Sequence, residues 1–366
     1  MRLKKAEKEI VGIIVPACLK YVPYIQNYID ILRKKGTDFR VLSWNKMGLE
    51  ESGVDFAYDL KARDEDRKGM FFGYIRFICA CKKYIRACGI NKLIVLTAAP
   101  AFFMGVPYLK KFSGNYILDI RDDSPFIRVF PGVFRKICSM AKSVVVSSPN
   151  FSPWTNRDTV LCHNADMKQI EKNWELQTKQ SYAEPITIAF AGMMIEGPIN
   201  IEVLRRCKGD GRFAFYFIGR PNAQKEAIER YVRDADMKNV IFEGTYNKDD
   251  IVDIYRQKAD LVNILREKSE VNKNALPNKL YDAVISGVPI VVFEHNEAVA
   301  KYVAQYHLGI LLREEDMDLV NDAVYEKMTT FDYSAYETGR RAFLNQVRED
   351  MTQFADMVAL FANVSA

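Results

Sequence analysis

The chain has 366 residues, of which 49% are hydrophobic and 27% are charged. This length suits two domains, and the composition excludes an intrinsically disordered protein. Seven cysteines without a C-x-x-C pair and three scattered histidines exclude a disulfide scaffold and a histidine-based metal site, and they fit a reducing compartment. No stretch approaches the roughly 18 apolar residues of a spanning helix. We therefore expect a cytoplasmic protein that either is free or sits on the inner face of the plasma membrane.

The charge is unevenly distributed along the chain. The net charge is +5, but residues 1–180 carry 30 Lys and Arg against 18 Asp and Glu, which gives +12. Residues 181–366 carry 22 against 29, which gives −7. This asymmetry predicts that the first half faces an anionic partner. An anionic membrane surface is retained as a partner, and nucleic acid is not, because no nucleic-acid-binding module is recognisable.

The amino-terminal segment allows two interpretations. Residues 1–5 are basic and residues 10–19 are apolar, as in a signal peptide. Glu7 and Glu9 lie where signal peptides avoid acidic residues, and the apolar run is short. We interpret the run as a first buried strand.

In the first half, short apolar runs alternate with helical patterns. The predicted strands are residues 11–15, 39–44, 93–97, 116–120 and 143–147. The predicted helices are residues 24–35, 71–88, 107–112 and 133–141. Apolar strands that alternate with helices indicate a parallel sheet covered by helices.

The alternation stops at a polar segment, residues 168–184, and then resumes. The later strands are predicted at residues 186–191, 214–218, 240–243, 261–265, 289–293 and 309–312. We therefore predict an N-terminal domain at 1–167, a linker at 168–184, a second domain at 185–334 and C-terminal helices at 335–366. These helices are expected to pack back toward the N-terminal domain. Two doubly wound domains in series bind ligands beyond the carboxyl ends of their strands, and we expect the ligand in the cleft between them.

The most informative segment is residues 276–292, LPNKLYDAVISGVPIVV. Pro277 suits the first turn of a helix, and Gly287 suits its end. The unpaired N–H groups of such a helix start favour a diphosphate, to which Lys279 would add a cation. Asp282 lies on the same helix face and could accept hydrogen bonds from ribose hydroxyls. From spacing alone, a surface helix with an ordinary Lys279–Asp282 ion pair is the commoner arrangement.

This segment resembles the donor-site helix of family 4 glycosyltransferases. Further segments match that family in order and spacing across roughly residues 95–295. These are Thr97–Pro100 (TAAP), LDIRDDSP at 118–125, VLCHNAD at 160–166, IAFAG at 188–192, YFIGR at 216–220 and IYRQKADL at 254–261. The resemblance implies the α/β GT-B fold, in which two Rossmann-like, doubly wound domains face each other across a cleft. The first would bind the acceptor and the second the nucleotide sugar.

The resemblance also implies an activity. It implies a retaining, metal-independent transferase that moves a sugar from a nucleotide-diphosphate sugar to a glycan acceptor, here lipid-linked, in bacterial capsule, O-antigen or exopolysaccharide synthesis. The nucleotide sugar is then a co-substrate, and no separate cofactor and no metal is implied. Two alternatives stay open, a nucleotide-sugar 2-epimerase of the same fold and a non-catalytic, glycosyltransferase-like partner subunit.

The donor-site residues follow from the same resemblance. They are Gly192, Arg220, Glu270, Asn274, Asn278, Lys279 and Asp282. The family usually has two Glu eight positions apart, where this chain has Asn274 and Asp282, with Glu270 close by. The family's basic pair after the first donor-domain strand is missing from residues 192–197, so Lys279 or Arg220 would have to hold the diphosphate. The missing pair is what motivates the non-catalytic alternative.

In the first half, a charged cluster follows a predicted strand. Asp119, Arg121, Asp122 and Asp123 form a solvated loop with local ion pairs in the simplest interpretation. The resemblance favours contact with acceptor hydroxyls or a lipid pyrophosphate. The catalytic residues predicted from the sequence are Asp119, Arg121, Asp122 and Lys279.

Two stretches mix aromatic and basic residues, at 67–88 and 126–136. Such helices usually pack against the sheet, but the mixture also suits an interfacial helix on anionic lipid. We weigh the two equally for the second stretch and favour packing for the first. The predicted membrane or acceptor residues are Phe126, Arg128, Phe130, Arg135 and Lys136.

Overall fold

The computed structural model describes residues 9–48, 57–61, 70–194 and 196–362, with the backbone alone at 57–61. The chain divides into two compact units. Unit 1 comprises Met1–His163 and Asp350–Ala366, and unit 2 comprises Asn164–Glu349. Unit 1 is therefore built from two separate parts of the sequence.

Unit 1 contains a seven-stranded parallel sheet, ordered β3-β2-β1-β4-β5-β6-β7. Its strands are β1 (Ile10–Val15), β2 (Asp38–Asn45), β3 (Ala57–Lys61), β4 (Lys92–Leu96), β5 (Tyr116–Ile120), β6 (Ser143–Val146) and β7 (Val160–Leu161). The central strands are buried on both faces, as their continuous apolar sequences require. The apolar run at residues 10–15 is thus a buried strand, as predicted.

The helices of unit 1 follow the strands in alternation. They are α1 (Ile25–Lys34), α2 (Met70–Ala87), α3 (Ala98–Met104), α4 (Val106–Leu109), α5 (Pro125–Val129), α6 (Pro131–Met140) and α7 (Ser152–Thr155). Helices α3, α5 and α7 and strands β3 and β7 are absent from the sequence-based prediction. The helix α3 contains Pro100 in its first turn, where the missing N–H group removes no helical hydrogen bond.

Unit 2 contains a six-stranded parallel sheet, ordered β10-β9-β8-β11-β12-β13. Its strands are β8 (Ile186–Ala191), β9 (Phe213–Ile218), β10 (Val240–Glu243), β11 (Leu261–Asn263), β12 (Ile290–Phe293) and β13 (Gly309–Leu312). Its helices are α8 (Met167–Lys172), α9 (Gly197–Arg206), α10 (Ala223–Asp234), α11 (Ile251–Lys258), α12 (Glu270–Asn274), α13 (Asn278–Ser286), α14 (Glu297–Tyr306) and α15 (Val320–Thr329). Because all six strands are parallel, their carboxyl ends lie at the same edge of the sheet. The strand order places β8 between β9 and β11, so the loops that follow these three strands are neighbours at that edge.

The polar segment predicted as a linker lies within unit 2. It includes α8, and Thr178 is buried against the end of α13, where a Cβ built on Gly287 would lie 2.9 Å from the Thr178 methyl group. Polar composition misidentified the segment because its few buried side chains are separated by solvated ones. The chain passes from unit 1 to unit 2 at His163, four residues before the predicted boundary at 167.

The C-terminal segment forms one long helix, α16 (Tyr333–Ala362). Its first part belongs to unit 2, where the buried Arg340 donates hydrogen bonds to the carbonyls of Val284 (2.8 Å) and Ile285 (3.3 Å) at the end of α13. Its last part belongs to unit 1, where Phe354 is buried against Tyr28. Within the residues described, no helix is long and apolar enough to cross a membrane.

Candidate functional site

Three glycines mark one edge of the unit 2 sheet. Gly192, Gly219 and Gly244 directly follow β8, β9 and β10. Gly192 has a φ of +106°, a conformation that side chains disfavour. A Cβ on Gly219 would lie 1.9 Å from the Gly192 carbonyl oxygen, so the two loop starts pack backbone against backbone. The absence of side chains leaves the backbone accessible to a ligand at this edge.

The helix α13 begins at the same edge, after the loop that follows β11. Pro277 is the N-cap residue and lies just outside the helix, one position before the predicted first turn. No side chain caps this helix start in the described part of the chain. Gly287 ends the helix with a φ of +72°, as predicted. The helix therefore presents its positive end, with uncapped N–H groups, to this edge of the sheet.

Lys279 lies in the first turn of α13. Its Nζ is 3.7 Å from the centroid of the Phe190 ring, and its Cε is 3.9 Å from a Cβ built on Gly192. Burial and the nearby Arg266 guanidinium lower the pKa of Lys279 to about 7, against the opposing effect of Glu196. Among the residues described, no carboxylate lies within ion-pair distance of its ammonium group. Lys279 therefore lies close to Gly192, and its protonated form could bind an anion at this edge of the sheet.

Asp282 has a different partner from the one that its spacing suggests. Both carboxylate oxygens accept hydrogen bonds from Nζ of Lys248, which follows β10, so the ordinary pair with Lys279 is replaced. Burial raises the pKa of Asp282, and Lys248 opposes that rise. A ribose hydroxyl would therefore share this carboxylate with Lys248.

The other predicted donor residues lie at different distances from this centre. Arg220 is exposed at the end of β9, and its charge acts on Tyr246, whose hydroxyl is 3.8 Å from a Cβ built on Gly192. Asn278 is the exposed first residue of α13. The Asn274 amide donates to the Glu270 carbonyl oxygen (2.9 Å) within α12, and Glu270 is exposed. The structure thus brings Gly192, Arg220, Lys279 and Asp282 around Tyr246, whereas Glu270 and Asn274 interact with each other.

The sequence reasoning missed several residues of this site. Tyr246 and Lys248 belong to the turn after β10, and Glu196 precedes α9. Glu196 is buried and accepts a hydrogen bond from the Glu267 amide (3.4 Å), next to Arg266. Only the position of the turn after a predicted strand could have marked Tyr246 and Lys248, because their partners are distant in sequence.

Part of the charged cluster at residues 119–123 is buried inside unit 1. Asp119 and Arg121 are buried, with Arg121 Nε 2.7 Å from Asp119 Oδ1. Tyr28 donates to Asp119 (2.7 Å), and Arg121 donates to the Cys162 carbonyl (3.0 Å) while covering the Tyr24 ring. The pair is buried rather than solvated, and its polar groups are used within unit 1, which favours a framework role. The catalytic roles predicted for Asp119 and Arg121 stay predictions.

Two aspartates complete that cluster. Asp122 is exposed, so of the three predicted catalytic residues in unit 1 it alone presents its carboxylate to solvent. The side chain of Asp123 is 2% exposed and pairs with Arg128 (3.2 Å). No cluster of metal-binding side chains occurs among the residues that the structure describes.

The predicted membrane residues lie on α5, α6 and the residue between them. Phe126 packs on Phe102 and Phe103, with ring centroids 5.4 Å apart in both cases, so it is partly a packing residue. Phe130 is 51% exposed, and Arg128, Arg135 and Lys136 are exposed. The structure therefore brings all five residues to one surface region.

Comparison with known proteins gives a family match within unit 2. Residues 187–329 match the family model described as "Glycosyl transferases group 1". These residues run from the second residue of β8 through β13 and include every predicted donor residue. The chain is a glycosyltransferase. A search of curated protein sequences returns no significant match.

Solved structures share the fold at low sequence identity. The α,α-trehalose 6-phosphate synthase of Burkholderia multivorans aligns with a TM-score of 0.65 and 11% identity, covering 97% of this chain and 98% of that one. HepE of Anabaena, solved with UDP and glucose, aligns at 0.65 and 12% over 94% and 98%. MurG of Acinetobacter baumannii aligns at 0.55 and 13% over 93% and 99%. The glycosyltransferase therefore has the GT-B fold with two Rossmann-like domains.

Proposed function

We propose that the chain transfers a sugar from a nucleotide-diphosphate sugar. This donor would bind at the edge of the unit 2 sheet that Gly192, Gly219 and Gly244 mark. The observation that carries this proposal is Lys279, a cation without a carboxylate partner in the described residues, in the first turn of α13 beside Gly192. An uncapped helix start and a nearby cation together form an anion site. Arg220, at the end of β9, supplies a second cation near the same loop.

Asp282 is the proposed acceptor for the ribose hydroxyls, and Lys248 orients its carboxylate. The leaving diphosphate is stabilised by Lys279 and by the helix dipole, so the proposed reaction needs no metal. In this proposal Glu270, Asn274 and Asn278 border the donor sugar. HepE was solved with UDP and glucose, which supports a nucleotide diphosphate at the corresponding place in this fold.

The proposed acceptor is a lipid-linked glycan of bacterial surface polysaccharide synthesis, and the proposed outcome is retention. Asp122 is the proposed acceptor contact in unit 1, because its carboxylate is exposed at the carboxyl end of β5. The non-catalytic alternative predicts nucleotide binding without turnover, and the epimerase predicts conversion of a free nucleotide sugar without any acceptor. Product analysis with and without glycan acceptor separates the three.

The donor site is tested by Lys279→Ala. The lost charged hydrogen bond should cost about 1.5–3 kcal/mol of nucleoside diphosphate affinity, and nucleoside affinity should change little. Isothermal titration with UDP, GDP and the corresponding nucleosides measures both. Lys238→Ala is the matched control, because Lys238 is 82% exposed and precedes β10 at the opposite edge of the sheet. Equal losses for nucleoside and diphosphate, with the fold intact, would show that Lys279 does not contact the diphosphate.

A further inference from the structure

Unit 1 carries an exposed apolar surface that the proposed donor site in unit 2 does not explain. Seven of the fourteen exposed large apolar side chains in the described residues lie on α2, on α5–α6 or between these last two helices. They are Met70, Phe71, Phe72, Ile75, Val129, Phe130 and Val133. Exposed apolar residues are normally scattered singly, so such a concentration marks an interaction surface.

Aromatic contacts join the two groups into one surface. The Phe71 ring lies 5.3 Å from Phe103, and Phe103 lies 5.4 Å from Phe126. Phe126 accepts, through its carbonyl, the backbone hydrogen bond of Phe130. The first turn of α2 and the α5–α6 junction are therefore neighbours on unit 1, although more than 50 residues separate Phe71 from Phe126 in the sequence.

The charges on these helices have one sign. None of the residues in α2, α5 and α6 is acidic, and together the helices carry seven Lys and Arg. The exposed ones are Arg76, Lys83, Arg86, Arg128, Arg135 and Lys136, of which Arg128 also pairs with Asp123. A second copy of the chain would bring equal positive charges together, whereas an anionic bilayer offers both apolar depth and complementary charge.

We propose that this surface docks the protein on an anionic lipid bilayer, with Phe71, Phe72 and Phe130 inserting among the acyl chains and the basic side chains contacting lipid phosphates. The first turn of α2 supplies most of the inserting side chains, and α5–α6 supplies the flanking charges. The proposal rests on the proposed function only for the idea that the acceptor is lipid-linked. Docking itself requires neither donor nor acceptor.

The test is flotation of the full-length protein with vesicles, in the absence of nucleotide. One set of vesicles contains phosphatidylglycerol and the other only phosphatidylcholine, each at low and high salt. We expect binding to the anionic vesicles at low salt and weaker binding at high salt, because salt screens exposed charges. The combined variant Arg128→Gln, Arg135→Gln, Lys136→Gln should bind at least tenfold more weakly, since each basic residue near the surface contributes about fivefold.

The aromatic part is tested with Phe71→Ser, Phe72→Ser and Phe130→Ser combined, which should lower binding at least tenfold at unchanged charge. Ile241→Ser with Leu319→Ser is the matched control, because these side chains are 58% and 63% exposed on unit 2. A Phe72→Trp variant should show a blue-shifted fluorescence that lipid-borne quenchers reduce. Donor titration of each variant reports the donor site independently, so a failed donor site and a failed docking surface are distinguished.

Three results would overturn the proposal. The unmodified protein could ignore anionic vesicles at low salt, or the aromatic variant could bind them as well as the unmodified protein does. Analytical ultracentrifugation could instead show a dimer that the aromatic variant loses, in which case the surface joins two copies of the chain.

Discussion

At the scale of single residues, the protonation of Lys279 is subject to two opposing requirements. Burial and the nearby Arg266 guanidinium disfavour the charge of its ammonium group, and the Phe190 ring favours it through a cation–π contact. The proposed contact with a diphosphate requires that charge. The folded pKa of about 7 lies below the ordinary value of 10.5, so the unfolded chain binds more protons between these values. The free energy of unfolding should accordingly rise with pH across this window, as the neutral form becomes common in both states.

In the proposed donor site, the same pKa makes diphosphate binding dependent on pH. Binding of a diphosphate takes up a proton once free Lys279 is neutral, so nucleoside diphosphate affinity should fall above about pH 7, by up to tenfold per pH unit. The terminal phosphate titrates near pH 6 and is constant in this range. Titration calorimetry from pH 7 to 9 measures the slope. Lys279→Arg should flatten it, because the guanidinium stays charged; a slope that persists in this variant would assign the effect to another group.

At this scale, the sequence predicts contacts between residues one helical turn apart, but not contacts between residues that are distant in the sequence. The helix face shared by Lys279 and Asp282 was predicted, since it depends only on a periodicity of one turn. The contact of Asp282 with Lys248 was not, because 34 residues separate them and the turn after β10 decides where Lys248 points. Asp119 and Arg121 were correctly placed at a strand end, but their burial depends on Tyr24, Tyr28 and Cys162 from other elements.

At the scale of elements, apolar patterns in the sequence predicted all the described strands except β3 and β7. The bounds of β5, β8, β10 and β13 match those read from the sequence. The missed elements are short or end in polar residues, as in β7 with two residues, and their formation depends on neighbours in the sheet. Polar composition is also what made residues 168–184 look like a linker.

The end of helix α13 gives a stability test at this scale. Gly287→Ala places a Cβ at a φ of +72° and 2.9 Å from Thr178, whereas Gly209→Ala meets no atom within 4 Å at a φ of +78°. The Gly209 variant should lose about 1–2 kcal/mol from backbone strain alone. The Gly287 variant should lose about 1–3 kcal/mol more, from overpacking. Urea unfolding measures both losses. Equal losses would mean that Thr178 moves away from the new methyl group without loss of stability.

At the scale of the whole molecule, α16 contributes to the core of unit 1 from the far end of the sequence. Phe354 is buried with its ring centroid 4.9 Å from that of Tyr28. Phe354→Ala should reduce the stability of unit 1 by about 3–5 kcal/mol. Leu360→Ala on the same helix is the control, because Leu360 is 74% exposed and should change little.

The measurement is urea unfolding followed by tryptophan fluorescence in a Trp174→Phe background. The remaining reporters, Trp44 and Trp154, both lie in unit 1. If the midpoint of Phe354→Ala equals that of Leu360→Ala, then the end of α16 contributes no packing energy to unit 1.

The discontinuity of unit 1 governs how this enzyme can be taken apart or recombined. A fragment ending at His163 would lack Phe354, which packs on Tyr28, and also Val358 and Phe361, all three buried and supplied by residues 350–362. A gene fusion that exchanges unit 1 for the corresponding unit of a relative must therefore cut the sequence twice, near 163 and near 349, and import the terminal turns of α16 together with the foreign unit. Unit 2 is the part that a single uninterrupted stretch of DNA, encoding residues 164–349, can deliver.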